Sequence, residues 1–234
     1  MIDQRDDGAV RWLTLRRPDR LNAFTGAMQH DLRIAVERAA QDAGVRAIVL
    51  TGEGRAFSVG ADRSLLDGTA DPADRELAGE EFPLLLEAVG TSPTPVLAAV
   101  NGLAVGLGAT ILLHCDVVLV GASARLRFPF TAMGIVPEAG SSALLPPNPR
   151  ARWAMLSSEW IDADAAVAMD LALRAVPDEE LVAEVRRSAE VLAALDPAGV
   201  AATKRLLIDG RTDAVRAAMA REHVEMGRLL RPSG

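Results

Sequence analysis

The sequence predicts an α/β fold built on a parallel sheet, and three observations carry that prediction. Short apolar runs of strand length alternate with longer segments whose apolar residues recur every three or four positions, the order expected of strand–helix–strand units. The strand-like runs at 45–50 and 96–100 show almost no polar alternation, as strands covered on both faces do. The chain of 234 residues is 50% apolar and 24% charged, which supplies one large core and excludes disorder. At this length two unrelated domains are not expected.

Each element follows in order. Residues 9–15 form a short strand carrying Val10, Trp12 and Leu15, broken by Arg17-Pro18-Asp19-Arg20. Thr25 caps a long helix in which Met28, Leu32, Ala35, Val36 and Ala39 share one face, and Gly44 ends it. Residues 45–50 are a buried strand turning at 51–54. Residues 77–89 are helical until Ser92-Pro93-Thr94-Pro95, and 96–100 is the next buried strand. The stretch 96–113 approaches the length of a bilayer span. Asn101-Gly102 marks a turn, however, and Gly102, Gly106 and Gly108 disfavour a continuous helix, so the reading is strand, Gly-rich loop, then buried helix at 107–114. Strands at 116–120 and 126–128 follow. After Pro137 the pattern turns helical, at 142–145, 150–156, 162–170, 178–194, 197–209 and 212–230. The change near residue 150 separates a core, 1–150, from a helical region, 151–234, that needs a partner surface.

Composition removes several function classes. A net charge of −7, with five Phe, three Trp and no Tyr, is opposite to the basic, aromatic-studded face of a nucleic-acid binder. A lone cysteine, Cys115, and three scattered histidines, His30, His114 and His223, exclude an internal disulfide and argue against a structural metal site. The N-terminal segment lacks the apolar run of a signal peptide, and with the lone thiol this points to the cytoplasm and away from a membrane. Lys204 is the chain's sole lysine, so phosphate contacts would fall mostly to Arg.

Two glycine-containing loops stand at the ends of buried strands, Gly54-Arg55-Ala56-Phe57-Ser58-Val59-Gly60-Ala61-Asp62 and Asn101-Gly102-Leu103-Ala104-Val105-Gly106-Leu107-Gly108-Ala109. Such loops let a ligand approach the backbone closely, and two of them could aim free N–H groups at one oxygen, the second from a helix N-terminus. They would equally serve simple tight turns. Gly106-Leu107-Gly108 lacks the third glycine of a dinucleotide fingerprint. Ser58 and Ser141 show no accompanying His/Asp pattern. His114 and Cys115 read as core or cap, Asp62 as a helix cap, and Asp67, Asp71 and Asp74 as a solvated loop.

Ala56-Phe57-Ser58-Val59-Gly60-Ala61-Asp62, Pro95-Val96-Leu97-Ala98-Ala99-Val100-Asn101-Gly102 and Met133-Gly134-Ile135-Val136-Pro137, taken in order, resemble the crotonase (enoyl-CoA hydratase/isomerase) superfamily. Arg17-Pro18 through Leu21-Asn22-Ala23, Cys115-Asp116 and Ala202-Thr203-Lys204 agree too, so the resemblance spans essentially the whole chain. It implies a crotonase-like spiral of ββα units with a C-terminal helical trimerisation region, assembled as a homo-trimer or hexamer. It implies an acyl-CoA or enoyl-CoA thioester as substrate, with CoA as part of that substrate and no separate cofactor. The oxyanion hole would be the amides of Ala61 and Leu107; leucine replaces the usual glycine there, but any residue except proline offers the N–H.

The resemblance also locates the acid and base. Hydratases of the family use two glutamates, and those positions here are Thr110 and Phe130, neither able to exchange a proton with water. Pro137-Glu138-Ala139-Gly140-Ser141-Ser142 resembles the Pro-Glu-Gly segment of one group of Δ3,Δ2-enoyl-CoA isomerases, which makes Glu138 a single proton shuttle between C2 and C4. Leu126, Phe128 and Phe130 would supply its apolar surroundings. Glu138 would also suit the N-terminus of the following helix as a plain dipole-compensating acid. CoA and substrate contacts would come from Asp19, Arg20, Ala23, Val59, Gly60, Asp62, Arg63, Gly106, Pro129 and Phe130, with Arg20 and Arg63 as partners for phosphates. Because the chain stops at Leu230-Arg231-Pro232-Ser233-Gly234, a final helix over the acyl or CoA site is expected to be short or absent. The alternatives to isomerisation are an enoyl-CoA hydratase-like protein of fatty-acid metabolism with atypical activity, and a non-catalytic acyl-CoA-binding subunit.

Overall fold

The strand expected at 9–15 forms as β2 (Val10–Leu15), and a strand that hydropathy does not announce, β1 (Ile2–Asp7), pairs antiparallel with it. Asp3, Gln4, Arg5 and Asp6 of β1 face solvent, so ladder hydrogen bonds rather than burial hold this sheet edge. The computed structural model describes residues 1–230; Arg231-Pro232-Ser233-Gly234 lie outside the described residues.

α1 (Gly26–Gln41) begins as expected, with Thr25 Oγ1 accepting from the Met28 amide at 3.2 Å. Three ββα turns follow. β3 (Ala47–Gly52) and β4 (Ala56–Ser58) lead into α2 (Arg63–Leu66) and α3 (Pro72–Thr91). β5 (Val96–Val100) and β6 (Leu103–Val105) lead into α4 (Leu107–Thr110), which tightens to a 3-10 turn over Ile111–His114. β7 (Val117–Gly121) and β8 (Arg125–Arg127) lead into α5 (Ser141–Leu144) and α6 (Pro149–Ser157). β9 (Ile161–Asp162), α7 (Ala163–Ala168), β10 (Arg174–Val176), α8 (Leu181–Ala193) and α9 (Pro197–Leu229) complete the described chain.

In each turn the first strand joins one sheet and the second strand another. The larger sheet runs β1-β2-β3-β5-β7-β10 and the smaller β4-β6-β8-β9, with β3, β5 and β7 parallel to one another and β4, β6 and β8 likewise. This is the predicted α/β spiral. The unalternating strands are explained by cover on both faces: Ile48, Leu50, Ala98 and Val100 pack on the α1 and α3 side, while Ala47, Val49, Leu97 and Ala99 pack with Leu181, Val185 and Ala189 of α8. The stretch 96–113 is β5, β6, α4 and a 3-10 turn, and no helix among the described residues is long and apolar enough to cross a membrane.

Several expectations are corrected. The region after residue 150 is not helix alone, because β9 pairs antiparallel with β8 and β10 parallel with β7, finishing both sheets. Strands of two and three residues carry too little pattern to read. The helices expected at 197–209 and 212–230 are one, α9, because Gly210 keeps a negative helical φ and so weakens the helix by about 1 kcal/mol without ending it. β6 occupies what reads as a loop. Of the acids read as a solvated loop, Asp67 and Asp71 are exposed as expected, Asp71 capping α3 through the Ala73 amide at 2.9 Å, whereas Asp74 lies within α3, half-buried, and accepts from the Ala27 amide at 3.0 Å.

Two buried ion pairs tie helices in place. Glu81 of α3 takes Arg33 Nε at 2.5 Å and His30 Nδ1 at 2.7 Å, both from α1. Lys204 of α9 donates to Asp116 Oδ2 at 2.6 Å, the same oxygen that accepts the Val96 amide at 2.8 Å as β5 begins.

Candidate active site

Asn22, buried and at φ +55°, organises the first loop. Its side-chain amide donates to Glu53 O at 3.0 Å and Ala56 O at 2.8 Å, and its Oδ1 accepts from the Arg17 amide at 2.8 Å. Ser58 Oγ donates to Asn22 O at 2.8 Å and accepts from the Gly60 amide at 3.2 Å, so this serine braces the loop. The Phe24 amide donates to Gly60 O and the Asp62 amide to Phe24 O, at 2.7 and 2.8 Å, which pins Ala61 between two ladder bonds. Gly60 is required here. Its φ is +87°, and a Cβ would stand 2.7 Å from Val105 O and 3.1 Å from the Leu107 amide nitrogen.

The first loop therefore lies directly on the second. Gly106, at φ +55°, turns the chain from β6 into α4, and Gly108 sits so close to β4 that a Cβ would come within 2.1 Å of Ser58 O. The amides of Ala61 and Leu107 donate to no backbone oxygen among the described residues. Two unspent N–H groups on touching segments, one at a helix N-terminus, can polarise a carbonyl oxygen.

Asp62 caps α2, accepting from the Ser64 amide at 3.1 Å, and pairs with Arg17 at 3.0 Å. Burial alone would raise its pKa, but the Ser64 hydrogen bonds and the Arg17 charge outweigh burial and hold it below the ordinary value. Arg17 also donates to Ala23 O. Asp19, Arg20 and Arg63 are exposed, Val59 and Pro129 are half-buried, and Phe130 is 4% exposed within the main core. Thr110 is fully buried and its hydroxyl oxygen has no hydrogen-bond partner. Both hydratase-glutamate positions are thus occupied by buried groups without an acid.

Glu138 is half-buried on a cavity of about 410 Å³, walled by Gly79, Phe82 and Pro83 of α3 and by Met219, Glu222, His223 and Met226 of α9. These α9 residues recur at three and four, one face of the helix. Burial pushes the Glu138 carboxyl up to about 7, and the charge of Glu222 adds to the rise. Its apolar surroundings are thus corrected: Leu126, Phe128 and Phe130 belong to the main core, and α3 and α9 supply the walls instead. α9 thus covers one side of the cavity.

One short element links the second loop to the Glu138 segment. α4 begins at Leu107 and its 3-10 extension ends at His114, whose Nε2 donates to Ala139 O at 2.7 Å. Burial drives the His114 pKa down to about 4, so the imidazole is a neutral donor. Sequence reasoning missed Glu222. A glutamate among Met219 and Met226 on one helix face is the signal that would have marked it. Among the described residues no cluster of three His, Cys, Asp or Glu side chains is placed to hold a metal ion.

Comparison with known proteins gives the site its chemical context. The family model described as enoyl-CoA hydratase/isomerase matches residues 5–227. A probable enoyl-CoA hydratase of Rhodobacter capsulatus is 41% identical over 221 residues, 93% of this chain and 84% of that protein. The 1,2-epoxyphenylacetyl-CoA isomerase of Escherichia coli K12 is 32% identical over 212 residues, 87% of this chain and 80% of that protein. The crystal structure of an enoyl-CoA hydratase/isomerase from Pseudoalteromonas atlantica T6c superposes with a TM-score of 0.89 at 36% identity, covering 99% of this chain and 92% of the other. A spiral of ββα turns that brings two free loop amides together, matched along nearly its whole length by such relatives, belongs to the enoyl-CoA hydratase/isomerase family.

Proposed function

We propose that this protein isomerises 3-enoyl-CoA thioesters to 2-enoyl-CoA thioesters, with Glu138 as the single proton shuttle and the Ala61 and Leu107 amides as the oxyanion hole. The observation that carries the reading is the placement of acids. Thr110 and Phe130 are buried and acid-free, whereas Glu138 lines a cavity with its carboxyl raised to about 7. A group titrating near neutrality can both take and return a proton. As carboxylate it removes a proton from C2, the electron pair moving onto the thioester oxygen held by the two amides. The resulting dienolate takes the same proton at C4 as the double bond forms between C2 and C3, and the carboxylate is regenerated. Atoms balance with no cofactor.

CoA would lie along the first loop, past Ala23, Val59, Gly60, Asp62 and Gly106, with the exposed Arg20 and Arg63 meeting its phosphates. Pro129 and Phe130 would stand toward the acyl end. A homo-trimer or hexamer is the assembly the family resemblance implies.

The test is turnover of 3-enoyl-CoA and 2-enoyl-CoA substrates of several chain lengths by wild type and Glu138→Gln, beside CoA binding. Isomerisation of the 3-enoyl substrate, reduced about 10²–10⁴-fold in Glu138→Gln, is the expected outcome. Its kcat/KM should rise with pH through a midpoint near 7. The name of the Rhodobacter capsulatus relative favours a second reading, hydration of 2-enoyl-CoA. Brisk hydration indifferent to Glu138→Gln would install that reading in place of ours, and CoA binding with no turnover would indicate an acyl-CoA binder.

A further inference from the structure

We propose that Glu222, presented by α9, is the positioning residue of this site: its carboxylate clamps the Glu138 segment by two backbone amides and sets a negative charge beside the Glu138 carboxyl. The proposal rests on Glu138 being the proton shuttle and adds what holds it and tunes it.

The geometry is specific. Glu222 is 7% exposed, and its two oxygens accept separately, Oε2 from the Gly140 amide at 2.7 Å and Oε1 from the Ser142 amide at 2.8 Å. These N–H groups open α5, whose own N-cap, Gly140, provides no side-chain bond. A carboxylate from a helix 80 residues away thus does the work a local cap would do, satisfying two backbone amides that the turn itself leaves free. The clamped backbone is strained. Ala139 and Gly140 are successive left-handed residues at φ +65° and +68°, a conformation that costs alanine about 1 kcal/mol and persists only where the surroundings enforce it. Glu222 holds this kink from the α9 side and His114 Nε2 holds it through Ala139 O. Gly140 rests so near α9 that a Cβ would meet Val215 Cγ1 at 2.8 Å and Met219 Cγ at 3.3 Å, so the loop is packed directly on the helix.

The same arrangement tunes the base. A fixed negative charge facing a carboxyl opposes its ionisation, which raises its affinity for a proton. The groups facing Glu138 can be named by element. α3 contributes only Gly79, Phe82 and Pro83, none ionisable; α9 contributes Glu222 and His223; His114, from the 3-10 turn, is neutral and turned onto Ala139. With both Glu222 oxygens already bonded to amides, Glu222 does not serve as a second acid or base; it fixes where Glu138 sits and how strongly it binds its proton.

The test reads Glu138 directly. In protein carrying ¹³C at glutamate carboxyls, the Glu138 signal is assigned by its loss in Glu138→Gln and followed with pH in wild type and in Glu222→Gln, which keeps one acceptor oxygen and removes the charge. The Glu138 midpoint should fall by roughly half a pH unit or more in Glu222→Gln, and the acid limb of kcat/KM on 3-enoyl-CoA should move with it while KM changes less than kcat. Glu222→Asp, which restores the charge, should return the midpoint toward the wild-type value. An unchanged midpoint in a folded Glu222→Gln overturns the proposal, since a merely structural residue would lower stability without moving it. Where Glu222→Gln does not fold, hydrogen exchange in wild type decides: Gly140 and Ser142 amides should exchange far more slowly than free peptide, and free-peptide rates overturn the clamp. Absence of isomerase turnover would sink the functional reading instead, leaving the titration and exchange results to judge Glu222 separately.

Discussion

Glu138 pits activity against stability. Its carboxyl binds protons more tightly folded, at about 7, than unfolded, near 4.5, so the stability it contributes is complete below about 4.5 and is lost as pH rises through 7. Glu138→Gln removes that loss. Denaturant unfolding should therefore show the variant gaining about 2–3 kcal/mol relative to wild type between pH 5 and pH 8, even as turnover collapses. Equal pH dependence of the two proteins would mean that Glu138 titrates as an ordinary surface acid. Gly60 pits space against chemistry. A methyl there collides with Val105 O and crowds the Leu107 amide, on a backbone at φ +87°. Gly60→Ala should cost about 2 kcal/mol or more in unfolding experiments and lower kcat/KM at least tenfold with any CoA thioester, because it separates the two amides.

The α1–α3 pair shows how an element-level contact answers to pH in the opposite sense. Arg33, hydrogen-bonded to Glu81, and then His30 hold the Glu81 carboxyl down to about 2. That lowering contributes stability above about 4.5, lost as pH falls toward 2. The stability gap between wild type and Glu81→Gln should accordingly shrink by roughly 3 kcal/mol between pH 6 and pH 2, and a constant gap would show that the pair is not coupled to folding. Most elements were legible in the sequence because local signals agreed with burial. Thr25 caps α1, and the apolar runs at 45–50 and 96–100 became β3 and β5 within two residues at either end. What was not legible depended on distant partners: β1 is polar and exists by pairing with β2, β9 and β10 are too short to carry a period, and α9 ignores its glycine because α3 and α5 support it. The site divides in the same way. Its loops and Glu138 stood in contiguous motifs, whereas Glu222 lies some 80 residues from the amides it holds, a relation that only folding creates.

Taken as a whole, the molecule has a spiral interior, and its C-terminal half exposes several leucines among the described residues. Leu206 and Leu207 of α9 are each 73% exposed, and Leu173 is 61% exposed. If these side chains face a second copy of the chain, as an assembly of three or six would require, light scattering should return about three or six times 24.7 kDa, and Leu206→Glu with Leu207→Glu should reduce that mass. A monomeric wild type would remove the assembly proposal. The ion pair between α9 and the start of β5 and β7 has an experimental use as well. Lys204 is the only lysine in the sequence, its side chain is 6% exposed, and its Nζ is engaged by Asp116 and Thr94 O. An acylating reagent therefore meets a lysine amine only in molecules whose last long helix has lifted from the sheet. The fraction of Lys204 peptide that gains an acyl group with time becomes a built-in clock for that opening, and the ratio of its rate to that in denaturant measures how rarely the helix that walls the Glu138 cavity lets go.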